Sequence, residues 1–435
     1  MIFIGSCQQD ERYQNMLLDS TSLSNANKNL TDVMVHDIFS PPVASRIYAY
    51  ASIAAYEVAA LSDPGYQSLT GQLNGFEAKE FDTSQPCHFP LAALTAYYEV
   101  GQALVFSEEE IERYRSSLYK KLEDKGIPKN VFHNSIALGK AVAKHVLDYA
   151  SKDNYHESRS FEKYSISSNP GTWKPTPPAY MEGIEPHWNK IRPMTLDSAN
   201  QFIPSRPTAF DIIPESTFFK EAKAVMDAGN QLNNDQRDIA NFWDCNPYKM
   251  NVKGHVMFAG KKITPGGHWM GISTIAAKTK NLDWKSTSEV MALTSITLFD
   301  AFIACWDEKY RSVLIRPETY INQHMDESWM PLLQTPPFPE YTSGHSVAST
   351  AAAITLTHLL GEEIHFVDST EVHYGLPVRE FNSFKQAAAE AAISRFYGGI
   401  HYMPAIEKGV DQGKLVGNHI VSRVKTKTPA VTGID

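Results

Sequence analysis

Three short segments in the last third of the chain carry groups that could act together: "EKYRSVLIRP" from Glu308, "FPEYTSGHSVAS" from Phe338 and "AAISRFYGGIHYMP" from Ala391. The first supplies Lys309 and Arg316, seven positions apart. A helix that persists would present both on one face until Pro317 ends it. A lysine and an arginine held this way suit an oxyanion, one as a point charge and the other as a planar fork. The second segment offers the Ser343 hydroxyl, the Gly344 amide with no Cβ to block approach, and His345. The run "VASTAAAITLTHLL" that follows reads as a helix, so these groups sit at a helix N-terminus, where negative charge is favoured. His345 lies at the rim, suited to acid–base work. In the third, Gly398 and Gly399 let the chain turn so that Arg395 and His401 face one point.

Each segment alone has an ordinary explanation: an exposed basic turn, a chance Ser-Gly-His, a structural histidine after a helix. Two arginines, a lysine, a serine, a glycine amide and two histidines together point to binding and chemistry at an oxyanion.

The elements that must position them read as helices almost throughout. Apolar and small residues recur at helical spacing from Val33, with a break at Pro41 and Pro42. Further helices fit 91–105, 107–122, 130–150, the runs from Pro214 and Asn233, 283–306, 347–360, 382–396 and 405–424. Strand signals are scarce. Between about Tyr155 and Ile213 lies an irregular stretch rich in Pro, Trp and Tyr, expected as an ordered loop packed over the helices and walling a site. The expected organisation is an N-terminal segment over 1–25, a helical region over 26–280 containing that loop, and a C-terminal helical bundle over 281–435, in one continuous domain.

With 435 residues, 43% hydrophobic and 20% charged, the composition is globular. A net charge of −9 argues against a nucleic-acid or anionic-membrane surface. No run of 18 apolar residues appears, so no transmembrane segment is expected. "IGSC" at the start is similar to the end of a bacterial lipoprotein signal with Cys7 as the lipid-bearing residue, although the preceding charged and apolar regions are missing. Export to the periplasm or medium, or a lipid anchor, is the expectation. Cys7, Cys87, Cys245 and Cys305 include no C-x-x-C pair, so free thiols are expected and zinc is not. His36 and His268 read as core histidines, with no spaced partner that would argue for zinc or iron.

In order and spacing the three segments resemble the signature K-x6-R-P, P-S-G-H and S-R-x5-H-x3-D shared by vanadium-dependent haloperoxidases and type-2 phosphatidic acid phosphatases. Thr342 stands where that signature has proline. Ala405 stands where it has its final aspartate, which removes the expected orienter of His401 and leaves Glu407 as a weak stand-in. The resemblance implies an all-α protein built on two four-helix bundles, with vanadate as cofactor. His401 would bond to the vanadium. Lys309, Arg316, Ser343, Gly344 and Arg395 would hold the vanadate oxygens. His345 would take a proton from hydrogen peroxide, and halide would be oxidised via peroxovanadate to hypohalous acid. The alternative is a soluble phosphomonoesterase, with His401 as the phosphorylated nucleophile and His345 as the leaving-group acid; a catalytically silent oxyanion binder is a third.

The long helical region before the first motif favours the haloperoxidases. So do Trp306 and Phe338, which occupy positions that shape the halide site in that family. Tyr248 falls where some members carry a further pocket residue. The run of motifs is most similar to the bacterial iodoperoxidases, and iodide, the easiest halide to oxidise, is the expected substrate, with bromide second.

Overall fold

Helical periodicity and strong stop signals yield fourteen helices among the residues that this computed structural model describes, 11–253 and 256–428. The expectation attached to Cys7 lies outside them. After α1 (Thr21–His36), α2 (Pro41–Ser62) starts at the predicted proline pair. Ser40 caps it by accepting from the Val43 amide, and the prolines fill the first positions, where no N–H is needed. Next come α3 (Phe89–Leu104), α4 (Glu108–Asp124) and α5 (Lys129–Ala150), then the single turn α6 (Tyr155–Ser158). α7 (Thr217–Asn230) and α8 (Asn234–Phe242) follow, the latter opened by a reciprocal Asn233–Gln236 capping box. Two strands, β1 (Met250–Lys253) and β2 (Val256–Ala259), pair antiparallel before α9 (Pro265–Thr279).

The central element is α10 (Trp284–Ser312), capped by Asp283 accepting from the Ser286 amide. It packs on α2 on one side, and on α12 (Gly344–Leu360) and α14 (Met403–Arg423) on the other. α11 (Pro317–His324), the hairpin of β3 (Phe366–Asp368) with β4 (Arg379–Phe381), and α13 (Phe384–Tyr397) complete the chain order. A single hydrophobic cluster runs from α2, α3 and α5 through α10 into α12 and α14. By length and composition alone α10 could cross a membrane, with mean hydropathy 1.5, but that whole window is buried inside the protein. It is a core helix.

The stretch 155–213 holds only α6 and one 3-10 turn (Trp188–Lys190) of regular helix, yet it is tied down. Asp300 of α10 accepts from the amides of Met194 (2.7 Å) and Thr195 (2.8 Å) and from the Thr195 hydroxyl (2.7 Å). Trp173 and Trp188 are completely buried. The Ile184 carbonyl accepts from Trp306 Nε1 (3.1 Å) and the Tyr310 hydroxyl (2.6 Å), which brings this stretch against the end of α10.

Candidate active site

The end of α10 departs from the sequence expectation. Val313 adopts a left-handed conformation (φ 44°) and stops the helix, so Lys309 and Arg316 do not share one helical face. The chain then runs beside 171–173, with Trp173 N–H donating to Val313 and Ile315 N–H donating to Gly171. Arg316 enters the site as the N-cap of α11, and Pro317 begins that helix instead of ending the previous one.

Arg316 is fully buried. Its Nε donates to the Phe338 carbonyl (2.9 Å), and Nη1 to the Ile400 carbonyl (2.8 Å) and His401 Nε2 (3.1 Å). A guanidinium only donates, so His401 Nε2 must accept and the ring proton sits on Nδ1. That proton is donated to Glu340 Oε1 at 2.8 Å, and the same oxygen accepts from the Tyr402 amide (3.0 Å). Glu340 thus accepts the Nδ1 proton, for which Ala405 has no side-chain acceptor. Glu407, the substitute suggested by sequence, is exposed on α14. Burial, followed by Arg316 and Lys309, holds His401 well below its ordinary pKa, while burial pushes Glu340 up to about 8. His401 is therefore a neutral imidazole with its lone pair on Nε2.

Ser343 caps α12 and Gly344 opens it, as the sequence predicted. The Ser343 oxygen accepts from the Ser346 amide (3.3 Å), leaving the hydroxyl proton to donate. A Cβ on Gly344 would project to 3.7 Å from the Trp306 ring, into the space beside the cavity. The Trp243 carbonyl accepts from Arg395 Nη1 (2.8 Å). His345 Nε2 is buried with no partner among the described residues. Burial and then Arg395 hold His345 well below its ordinary pKa, so it is a neutral base. Arg395 lies in the last turn of α13, which ends at Gly398 and Gly399 (φ 76°) as expected.

Lys309 is aimed differently from a simple clamp. Its three protons go to the carbonyls of Pro339 (3.0 Å), Glu340 (3.1 Å) and Thr342 (2.5 Å). Its charge lies 5.1 Å from the Phe338 ring centre and holds the turn leading into Ser343. Burial lowers its pKa to about 8, and lowers that of Arg316 to about 10.

One cavity is lined by Gly344, His345, Arg395 and His401, with Trp306, Phe338 and Tyr248 on its apolar side. Trp306 and Phe338 pack with ring centres 5.0 Å apart. Cys245 also lines it, and Cys245 and Cys305 are buried free thiols. Lys309, Arg316 and Ser343 do not line it; Arg316 reaches it through its bond to His401, and Ser343 precedes the lining residue Gly344. Lys309, Arg316 and Arg395 are buried near the site, with Glu340 against His401 and the buried Asp244 near Arg395, and Arg316 Nη2, Arg395 Nε and His345 Nε2 lack partners among the described residues. Buried donors without partners call for an acceptor. Donors of this kind fit vanadate or phosphate.

The fold and site define an all-α protein with a buried oxyanion pocket between helix ends. The family model for the VCPO second helical-bundle domain matches residues 289–428. A crystal structure of a bacterial vanadium-dependent iodoperoxidase superposes with TM-score 0.90 at 51% identity, covering 95% of this chain and 98% of that one. A holo-type bacterial vanadium-dependent chloroperoxidase superposes with TM-score 0.69 at 16% identity, over 89% of this chain and 93% of that one, a likeness of fold. No curated protein compared with the chain matches it. The chain belongs to the vanadium-dependent haloperoxidases.

Two parts of the site escaped sequence reasoning. Glu340 lies 61 positions before His401 in the chain, and only its place in "FPEYTSGH" hinted at proximity. The Trp243 carbonyl carries no sequence signal, because any residue there has one.

Proposed function

We propose that the chain oxidises iodide with hydrogen peroxide, using vanadate held by His401 Nε2, Arg316, Arg395, Ser343 and the Gly344 amide. The observation that carries this reading is the buried excess of donors around an unprotonated His401 Nε2, in a chain 51% identical to an iodoperoxidase. Bound vanadate supplies the electrophilic activation of peroxide towards two-electron oxidation of halide. The protein positions and neutralises. Arg316 and Arg395 balance anionic charge, Glu340 keeps the His401 proton on Nδ1, and Lys309 fixes the turn presenting Ser343 and Gly344. His345 Nε2 faces the work with a lone pair and takes the proton that peroxide loses on binding. Trp306, Phe338 and Tyr248 offer a polarisable, weakly hydrated surface, which suits iodide better than the more strongly hydrated chloride.

Phosphate-ester hydrolysis by the vanadate-free protein is a second reading, because a neutral His401 Nε2 is also a nucleophile. That route needs His345 protonated to release the alcohol. The downward push on its pKa works against this at neutral pH and favours a proton-accepting role.

His401→Ala removes the metal ligand and the nucleophile together. Loss of iodide oxidation by at least about a thousandfold is expected, with no phosphate-ester turnover. Full iodide activity in that variant would overturn the assignment. With wild-type protein, kcat/KM should fall in the order iodide, bromide, chloride; a higher value for bromide than for iodide would overturn the substrate assignment.

A further inference from the structure

Beside the cavity, whose wall includes Cys245, three donors from separate parts of the chain converge. Cys245 follows α8, His268 lies in the first turn of α9, and Glu371 precedes the 3-10 turn Val372–Tyr374. All three are buried, at 2%, 0% and 1% exposure. Cys245 Sγ lies 3.4 Å from His268 Nδ1 and 3.7 Å from Glu371 Oε1, and the nitrogen lies 3.5 Å from that oxygen. The Glu371 oxygen is too far from the ring nitrogen for an ordinary N–H···O bond. Two of the three separations fall within the edges of a tetrahedron and the third is 0.1 Å longer: zinc bonded at about 2.3 Å to sulfur and about 2.0 Å to nitrogen and oxygen would place its ligands about 3.3–3.6 Å apart.

The surroundings are also those of a ligand histidine. His268 Nε2 is 2.7 Å from Asp368 Oδ2, so a carboxylate fixes the far side of the ring, the usual support for a metal-bound imidazole. Asp368 is itself held by the Thr370 amide (3.0 Å) and hydroxyl (2.6 Å). Trp243 stacks on the His268 ring, with centres 4.4 Å apart and planes 18° apart.

We propose that Cys245, His268 and Glu371 bind a divalent, thiophilic cation of the zinc class, with Asp368 as the outer partner of His268. Binding displaces the proton of the Cys245 thiol and uses the Nδ1 lone pair of His268, whose ring proton is held on Nε2 by Asp368, so thiolate, imidazole and carboxylate face the metal. The site is structural in position. It joins the segment after α8, α9 and the β3 turn beside Trp243, whose carbonyl holds Arg395 at the cavity. It is independent of the halide assigned above.

The test is elemental analysis of untagged, vanadate-loaded protein after dialysis against metal-free buffer, with zinc and vanadium quantified separately. About one zinc per chain is expected, falling several-fold in Cys245→Ser and Glu371→Gln. Cobalt substitution of the wild type should give a thiolate-to-cobalt charge-transfer band, a readout that needs no variant to fold. Wild-type protein that contains no zinc and takes up none when titrated with Zn²⁺ overturns the proposal. Zinc retained equally in both variants, or cobalt bound without the thiolate band, overturns it too.

Discussion

Glu340 touches His401 through an oxygen that also accepts a backbone amide, so its geometry is fixed from two sides. Glu340→Gln keeps the shape but weakens the hold on the Nδ1 proton. Vanadate affinity should fall about 10–100-fold, with KM for iodide little changed. Unchanged affinity would remove Glu340 from the account. Lys309 makes a second prediction. Its pKa is about 8 in the folded protein against 10.5 as its ordinary value. Between those values the unfolded chain binds more protons, so vanadate-free protein gains stability as pH rises from about 8. Bound vanadate favours charged Lys309 and opposes that trend. The difference in Tm between loaded and vanadate-free protein should therefore narrow above about pH 8, as thermal melts across that range would show; a constant difference would contradict the Lys309 argument. The chemistry of Lys309, Arg316, Ser343, His345, Arg395 and His401 was legible because residue type and spacing carry it. The actual bonds were not, since Lys309 turned to three carbonyls that only the folded turn brings within reach.

Helix α14 approaches α12 closely along Gly409, Gly413 and Gly417. A Cβ at Gly413 would lie 2.5 Å from the Val347 carbonyl, and one at Gly409 would lie 3.0 Å from the Ser343 carbonyl and 2.8 Å from Ser346 Cβ. Either alanine substitution should destabilise the protein by about 1–3 kcal/mol through overpacking, measured by denaturant unfolding. Gly409→Ala alone presses on the capping residue of α12, so it should also weaken vanadate binding. Equal vanadate affinity in the two variants would mean that the α12 terminus does not depend on this packing. Helix existence was readable from apolar spacing, capping residues and the Pro41–Pro42 and Gly398–Gly399 signals. The stop at Val313 was not, because a β-branched residue gives no warning of a left-handed conformation.

At the scale of the molecule, one helix, α10, joins the N-terminal helices to the site and carries Asp300, Trp306 and Lys309 along its length. Asp300 holds the irregular stretch by bonds to Met194 and Thr195. Asp300→Ala would leave those buried donors unpaired and should cost about 3 kcal/mol or more, seen as a lower Tm. An unchanged Tm would show that the stretch is held by its buried tryptophans alone. Its aromatic content made order predictable, but its path rests on contacts more than a hundred residues apart, which local pattern does not encode. The most direct test of the whole account uses protein stripped of bound oxyanion and divided into two portions. One receives orthovanadate, hydrogen peroxide and iodide; the other receives a phosphate ester without vanadate. Vanadate-dependent triiodide formation, suppressed by excess phosphate competing for the same donors, is the predicted result. Phosphate release inhibited by vanadate, with no iodide oxidation at any vanadate concentration, would contradict it.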